Sequence, residues 1–68
     1  MTGTVKKFES GWGFIVPDRS IDGSDKDIFV YWSDLKMEGY KSLQAGQRVE
    51  FDIGKGPRGP KAVNVEVI

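Results

Sequence analysis

Two short runs decide the fold: Gly11-Trp12-Gly13-Phe14-Ile15-Val16 and, after a polar interval, Asp27-Ile28-Phe29-Val30-Tyr31-Trp32. Both are rich in aromatic and β-branched residues and neither carries a helical stripe, so they read as a pair of strands. Side chains alternate along a strand. Ile15, Ile28 and Val30 therefore share one side, while Trp12, Phe14, Phe29 and Tyr31 share the other. Both sides are apolar, yet a small domain has one interior. The aliphatic side fills it, and the aromatic side is left as an exposed patch of the kind that marks an interaction site.

Outward from these runs, nine glycines and three prolines punctuate further short apolar segments. Five strands are predicted: Gly3 to Glu9, Trp12 to Val16, Asp27 to Trp32, Gln47 to Ile53 and Lys61 to Val67. In the fourth, Val49, Phe51 and Ile53 fall on the core side, opposite Arg48, Glu50 and Asp52. In the fifth, Val63, Val65 and Val67 oppose Asn64 and Glu66. Glu9-Ser10-Gly11 makes a tight hairpin connection, and Pro17 to Lys26 a polar loop. Ser33-Asp34-Leu35 makes one helical turn capped by Ser33. The connection from Lys36 to Gly46 carries Tyr40 and Leu43, and Gly54 to Pro60 is a turn-rich basic loop. Five short strands with one aliphatic face predict an all-β, five-stranded antiparallel sheet closed into a small barrel, a single domain over residues 1–68.

Composition narrows the function. Cysteine and histidine are both absent, which removes disulfides, thiolate zinc sites, the commonest general base and the commonest metal ligand. With no phosphate-cradling loop and no converging carboxylate pair, no catalytic residues, cofactor or metal are expected. No segment reaches the roughly 18 apolar residues of a membrane span, and no export signal is evident; a cytoplasmic location without a membrane partner is expected. Ten basic and ten acidic residues cancel, which counts against a strongly electrostatic nucleic-acid binder; any such affinity has to come from local charge placement and from something other than bulk Coulomb attraction.

The residues carry a resemblance. Gly11-Trp12-Gly13-Phe14-Ile15 resembles the first ribonucleoprotein motif of the bacterial cold shock protein family, and Ile28-Phe29-Val30-Tyr31-Trp32 the second. The likeness continues through Gly3-Thr4-Val5-Lys6-Lys7-Phe8, Met37 to Leu43, Gly46 to Val49 and Arg58 to Val65, nearly the whole chain. It implies an OB-fold that binds single-stranded RNA and DNA, often as an RNA chaperone or as a regulator of transcription or translation in the cold shock response. Position by position, it places base stacking on Trp12, Phe14, Phe29, Tyr31, Trp32 and Tyr40, with Phe8 and Arg58 lining the ligand path. Lys6 and Lys7, with Lys41, Arg58 and Lys61, are the candidates for phosphate contacts. Asp18, Asp22, Asp25 and Asp27 gather in another loop, leaving room for a locally basic face.

Stacking suits an aromatic surface because every base has a π-face, each stack being worth about 1–3 kcal/mol. Departures from the family pattern bear on affinity. Lys7 stands where a tryptophan is usual, Tyr31 replaces a histidine and Trp32 a phenylalanine; the loop before Gly11 is two residues shorter and lacks a lysine, and the 17–26 loop is longer. Gly11 and Gly13 keep the surface low beside the rings, or else serve a bend in a coiled strand. Phe8 and Trp32, at strand ends, are as well suited to packing as to ligand contact, and Tyr40 to anchoring its loop. The alternative function is a protein-interaction barrel using the same aromatic face. A monomer is expected, with a weak or domain-swapped dimer as the alternative where the short first loop strains its turn.

Overall fold

The computed structural model describes residues 1–19, 27–37, 42–57 and 59–68. Five strands form a closed barrel: β1 (Thr2–Glu9), β2 (Trp12–Pro17), β3 (Ile28–Tyr31), β4 (Arg48–Gly56) and β5 (Gly59–Val67). Around the barrel the order is β1-β2-β3-β5-β4. All neighbours are antiparallel except β3 and β5, which run parallel and close the barrel through Phe29–Lys61 and Val30–Ala62. Ser10 and Gly11 form the two-residue turn between β1 and β2, both at positive φ (52° and 84°). That is the handedness a tight hairpin requires.

The core is aliphatic with one ring: Val5, Ile15, Ile28, Val30, Leu35, Leu43, Val49, Phe51, Ala62 and Val65 are buried. Strands β2 and β3 follow the expected alternation. Strands β1 and β5 break phase where a bulge inserts a residue. In β1 the register steps from Val5–Ile15 to Lys7–Phe14, so Lys6 is the extra residue. Lys7 is thereby turned outward beside Phe14, and Phe8 inward opposite Gly13. In β5 the register passes from Glu50–Glu66 to Asp52–Val63, with Asn64 at positive φ (53°).

This second bulge corrects the expected core. Beyond it, Ala62 takes the inward position that alternation had assigned to Val63, which is only half-buried. Ile53 and Val67 are likewise not core residues, being 38% and 45% exposed. Pairing of β4 with β1 ends at Glu50, so Ile53 has β5 alone beside it, and Val67 is the last residue of its strand. The basic loop is also shorter than expected. Strands β4 and β5 continue through Gly54–Lys61 and Lys55–Pro60 to Gly56–Gly59, so most of that segment is a two-stranded arm. The helical turn is a 3₁₀ turn over Trp32–Asp34, capped by Tyr31 without a side-chain hydrogen bond; Ser33 lies inside it and does not cap it.

On the outer surface, Arg48 of β4 grips Asp18 with two hydrogen bonds, Nη1 to Oδ1 at 2.7 Å and Nη2 to Oδ2 at 2.6 Å. The Thr2 hydroxyl donates a third at 2.6 Å. The Arg48 hydrogen bonds, and then that from Thr2, hold the Asp18 carboxyl well below the usual carboxylate range. A depressed folded-state value stabilises the fold above the unfolded value of 3.8, and this contribution is lost as pH falls through the folded one. An NMR titration should show Asp18 protonating after the other carboxylates, with Arg48→Gln moving it back among them. Asp18 titrating with the rest in the unmodified chain would refute the link.

Candidate nucleic-acid interface

The alternation of β2 and β3, held in register by Trp12–Tyr31 and Phe14–Phe29 pairs, projects four rings from one outer face. Phe29 is central, with ring centroids 5.8 Å from Phe14, 6.0 Å from Tyr31 and 6.4 Å from Trp12. The planes of Trp12 and Tyr31 lie within 15° and 27° of that of Phe29. Phe14 stands edge-on, at 88° to Trp12 and 77° to Phe29. Trp12, Phe14 and Phe29 are half-buried, whereas Tyr31 and Trp32 are 45% and 47% exposed.

Trp32 begins the 3₁₀ turn at the end of this row. Its backbone N–H donates to the Gly11 carbonyl at 2.8 Å, and a Cβ at Gly11 would meet the Trp32 ring at 2.9 Å. Gly11 is thus fixed both by its positive φ and by the ring seated on it. At Gly13 an added Cβ would run into the backbone of Lys7 and Phe8. Both glycines answer to the barrel's own geometry, the structural side of the two readings open at the sequence level.

Opposite the rings stands the β4–β5 arm. Between them lies a groove of about 600 Å³. Trp12, Phe29 and Tyr31 line one side, and Gly56, Pro57, Gly59, Pro60 and Lys61 the other. The lining is mostly apolar and ring-rich, suited to flat unsaturated groups. Lys7 lies across one end of the row. Its Nζ sits 5.0 Å from the Trp12 ring centroid and 5.7 Å from that of Phe14, with Glu9 at 3.8 Å. A cation thus lies against the Trp12 ring at that end of the row.

The described residues do not form the locally basic face for which the sequence leaves room. Lys6 pairs with Asp27 at 2.9 Å, Lys7 with Glu9, and Lys61 with Asp34 at 3.2 Å. Asp27, 21 residues from Lys6 in sequence, meets it in space.

Of the candidate residues, the fold brings Lys7, Trp12, Phe14, Phe29, Tyr31 and Trp32 onto one surface, with Lys6 beside it. Phe8 is the exception. The bulge turns it inward, and it packs against the core. Tyr40 and Arg58, together with Lys41, lie outside the described residues. Pro57 and Pro60, which line the groove, and Asp34, which meets Lys61, were not among the candidates, since the parallel β3–β5 contact that brings the arm there is not revealed by any local pattern.

Comparison with known proteins shows the family. The family model of the 'Cold-shock' DNA-binding domain matches residues 1–68. The chain belongs to the cold-shock domain family. It is similar to a cold shock-like protein of Thermotoga maritima, 47% identical over 70 residues that cover 100% of this chain and 98% of that one. It is also similar to cold shock protein CspA of Staphylococcus epidermidis, 51% identical over 65 residues covering 93% and 91%. A cold shock-like protein of Aquifex aeolicus is 46% identical over 68 residues, covering 97% and 91%. The family is one of nucleic-acid binding, and the ring-lined groove is compatible with that use. Among the described residues no helix is long and apolar enough to cross a membrane.

Proposed function

We propose that this cold-shock domain binds single-stranded RNA and DNA by stacking unpaired bases on Trp12, Phe14, Phe29 and Tyr31, with Trp32 extending the row. A single observation carries the reading: four rings gathered around Phe29 stand outside a filled core, and three of them, Trp12, Phe29 and Tyr31, line a groove. Bases captured there are withdrawn from intramolecular pairing, which makes the domain an RNA chaperone or a regulator of transcription or translation in the cold shock response. The reading requires no catalysis, and it places the domain in the cytoplasm as a monomer. Tyr40 and Arg58 are proposed to add to the same surface.

Titrating tryptophan fluorescence with a thymidine hexamer tests the reading. Quenching is expected, since Trp12 lies in the row. Salt should matter little, because the lysines around the rings are already ion-paired and few phosphates are newly neutralised. A slope of log K against log salt shallower than about −4 is expected, at roughly −0.7 per phosphate on single strands. A steeper slope would mean that phosphate contacts, and not stacking, dominate. No quenching, and no binding by a second method, would transfer the aromatic face to a protein partner.

A further inference from the structure

Lys61 differs from the other lysines near the rings. It faces the groove, and the parallel register sets it directly beside Phe29. It is held at both ends. Its stem lies along Gly56 across the arm, where an added Cβ would come within 3.2 Å of Cδ and 3.6 Å of Cγ. Its ammonium lies 3.2 Å from Asp34 Oδ2. That oxygen is buried and accepts no hydrogen bond, so the ammonium is its only near counter-charge among the described residues. The two side chains are 32% and 19% exposed, well below the Lys6, Lys7 and Lys36 side chains of the other lysine pairs.

A lysine fixed in this way is poorly suited to phosphate. Asp34 cancels its charge locally, so a phosphate gains little Coulomb energy there and must compete with a carboxylate already in place. What remains are the ammonium's other N–H donors, held at the edge of a stacking surface. The hydrogen-bonding edge of a base lying on Phe29 is the acceptor within that geometry. An ammonium donates only, and carbonyl oxygens are the strongest acceptors on bases. Thymine and uracil carry two each, guanine and cytosine one each; adenine has none.

We propose that the Lys61–Asp34 pair is a base-reading element, in which Asp34 holds Lys61 to donate to the carbonyl of a base stacked on Phe29 and so disfavours adenine at that position. This rests on the stacking reading above. Asp34 is a positioning residue, with no contact to the ligand itself, because its inner oxygen is sealed from the groove.

The test compares thymidine and deoxyadenosine hexamers with the unmodified chain, Lys61→Met and Asp34→Asn, each at several salt concentrations. The thymidine-to-adenosine affinity ratio of each variant is compared with that of the unmodified chain, which removes intrinsic differences in stacking. Lys61→Met should lower the ratio three- to tenfold by weakening the thymidine complex, with its salt slope unchanged. Asp34→Asn should also lower the ratio, but by freeing Lys61 for phosphate: the slopes for both hexamers should steepen by about 0.7. If Lys61→Met weakens both hexamers equally and flattens both slopes by about 0.7, Lys61 is a phosphate contact and the proposal fails. An unchanged ratio with an unchanged slope also overturns it, leaving the pair a purely structural tie. Binding of neither hexamer by the unmodified chain would instead bring down the stacking reading, and this proposal with it.

Discussion

With Phe29 replaced by alanine, the domain should bind a thymidine hexamer about 1–3 kcal/mol more weakly. That corresponds to a loss of roughly five- to 150-fold, given about 1.4 kcal/mol per factor of ten. Phe29 is chosen over its neighbours because it touches all three of them, with Phe14, Tyr31 and Trp12 at 5.8, 6.0 and 6.4 Å. Its removal deletes one stacking surface and also the support that keeps Trp12 and Tyr31 nearly parallel to it. Loss at Phe29 should therefore exceed the loss at Phe14, whose ring stands edge-on. The side chain is half-buried and lies on the face opposite the core, so the variant should still fold, a point that circular dichroism and a thermal melt would establish independently. A folded Phe29→Ala domain that binds with undiminished affinity would remove the ring row from the mechanism.

The position of that row was legible from the sequence because it depends on alternation alone. In β2 and β3 nothing interrupts the period of two, so the rings that alternation puts on one side stay there, with Phe14 paired to Phe29. Where bulges occur, the same logic fails. Lys6 and Asn64 each add a residue to one strand only, and everything beyond is turned over. Phe8 went inward for this reason, and Ala62 displaced Val63 from the core. Neither bulge residue is a glycine, so composition gave no warning. Asn64 does belong to a residue type that tolerates positive φ, the one faint signal available.

The electrostatics of the site were less legible still. Lys6 and Asp27 are 21 residues apart yet 2.9 Å from contact to contact, and Lys61 meets Asp34 across the parallel β3–β5 junction. Parallel pairing needs a long crossover, and its register is set by barrel closure, not by any turn whose residues can be read. A count of charges gave neutrality. It could not show that, among the described residues, Lys6, Lys7 and Lys61 are each paired with a carboxylate.

The glycine between the two aromatic residues of β2 should be the most sensitive position in the fold. Gly13 is buried and pairs with Phe8. A Cβ there would fall against the Lys7 carbonyl oxygen and within 2.8 Å of Phe8 Cα. These are backbone atoms, unable to move without parting β1 from β2 just beyond the Lys6 bulge. At roughly 0.05–0.15 kcal/mol per residue, a chain of this size is stable by only about 3–10 kcal/mol. Gly13→Ala is expected to cost at least about 3 kcal/mol, in the range where steric conflict in a core places the severest substitutions. In a domain this small that is a Tm fall of about 12 °C or more. Gly46→Ala is the informative contrast. Its φ is +92°, but nothing lies within 4 Å of an added Cβ, so backbone strain alone should cost about 1–2 kcal/mol. If the two variants melt within a few degrees of each other, β1 yields at its bulge more easily than the close packing of Lys7 and Phe8 on Gly13 implies. The outward setting of Lys7 over Trp12 would then be adjustable, since both depend on where that bulge holds the strand.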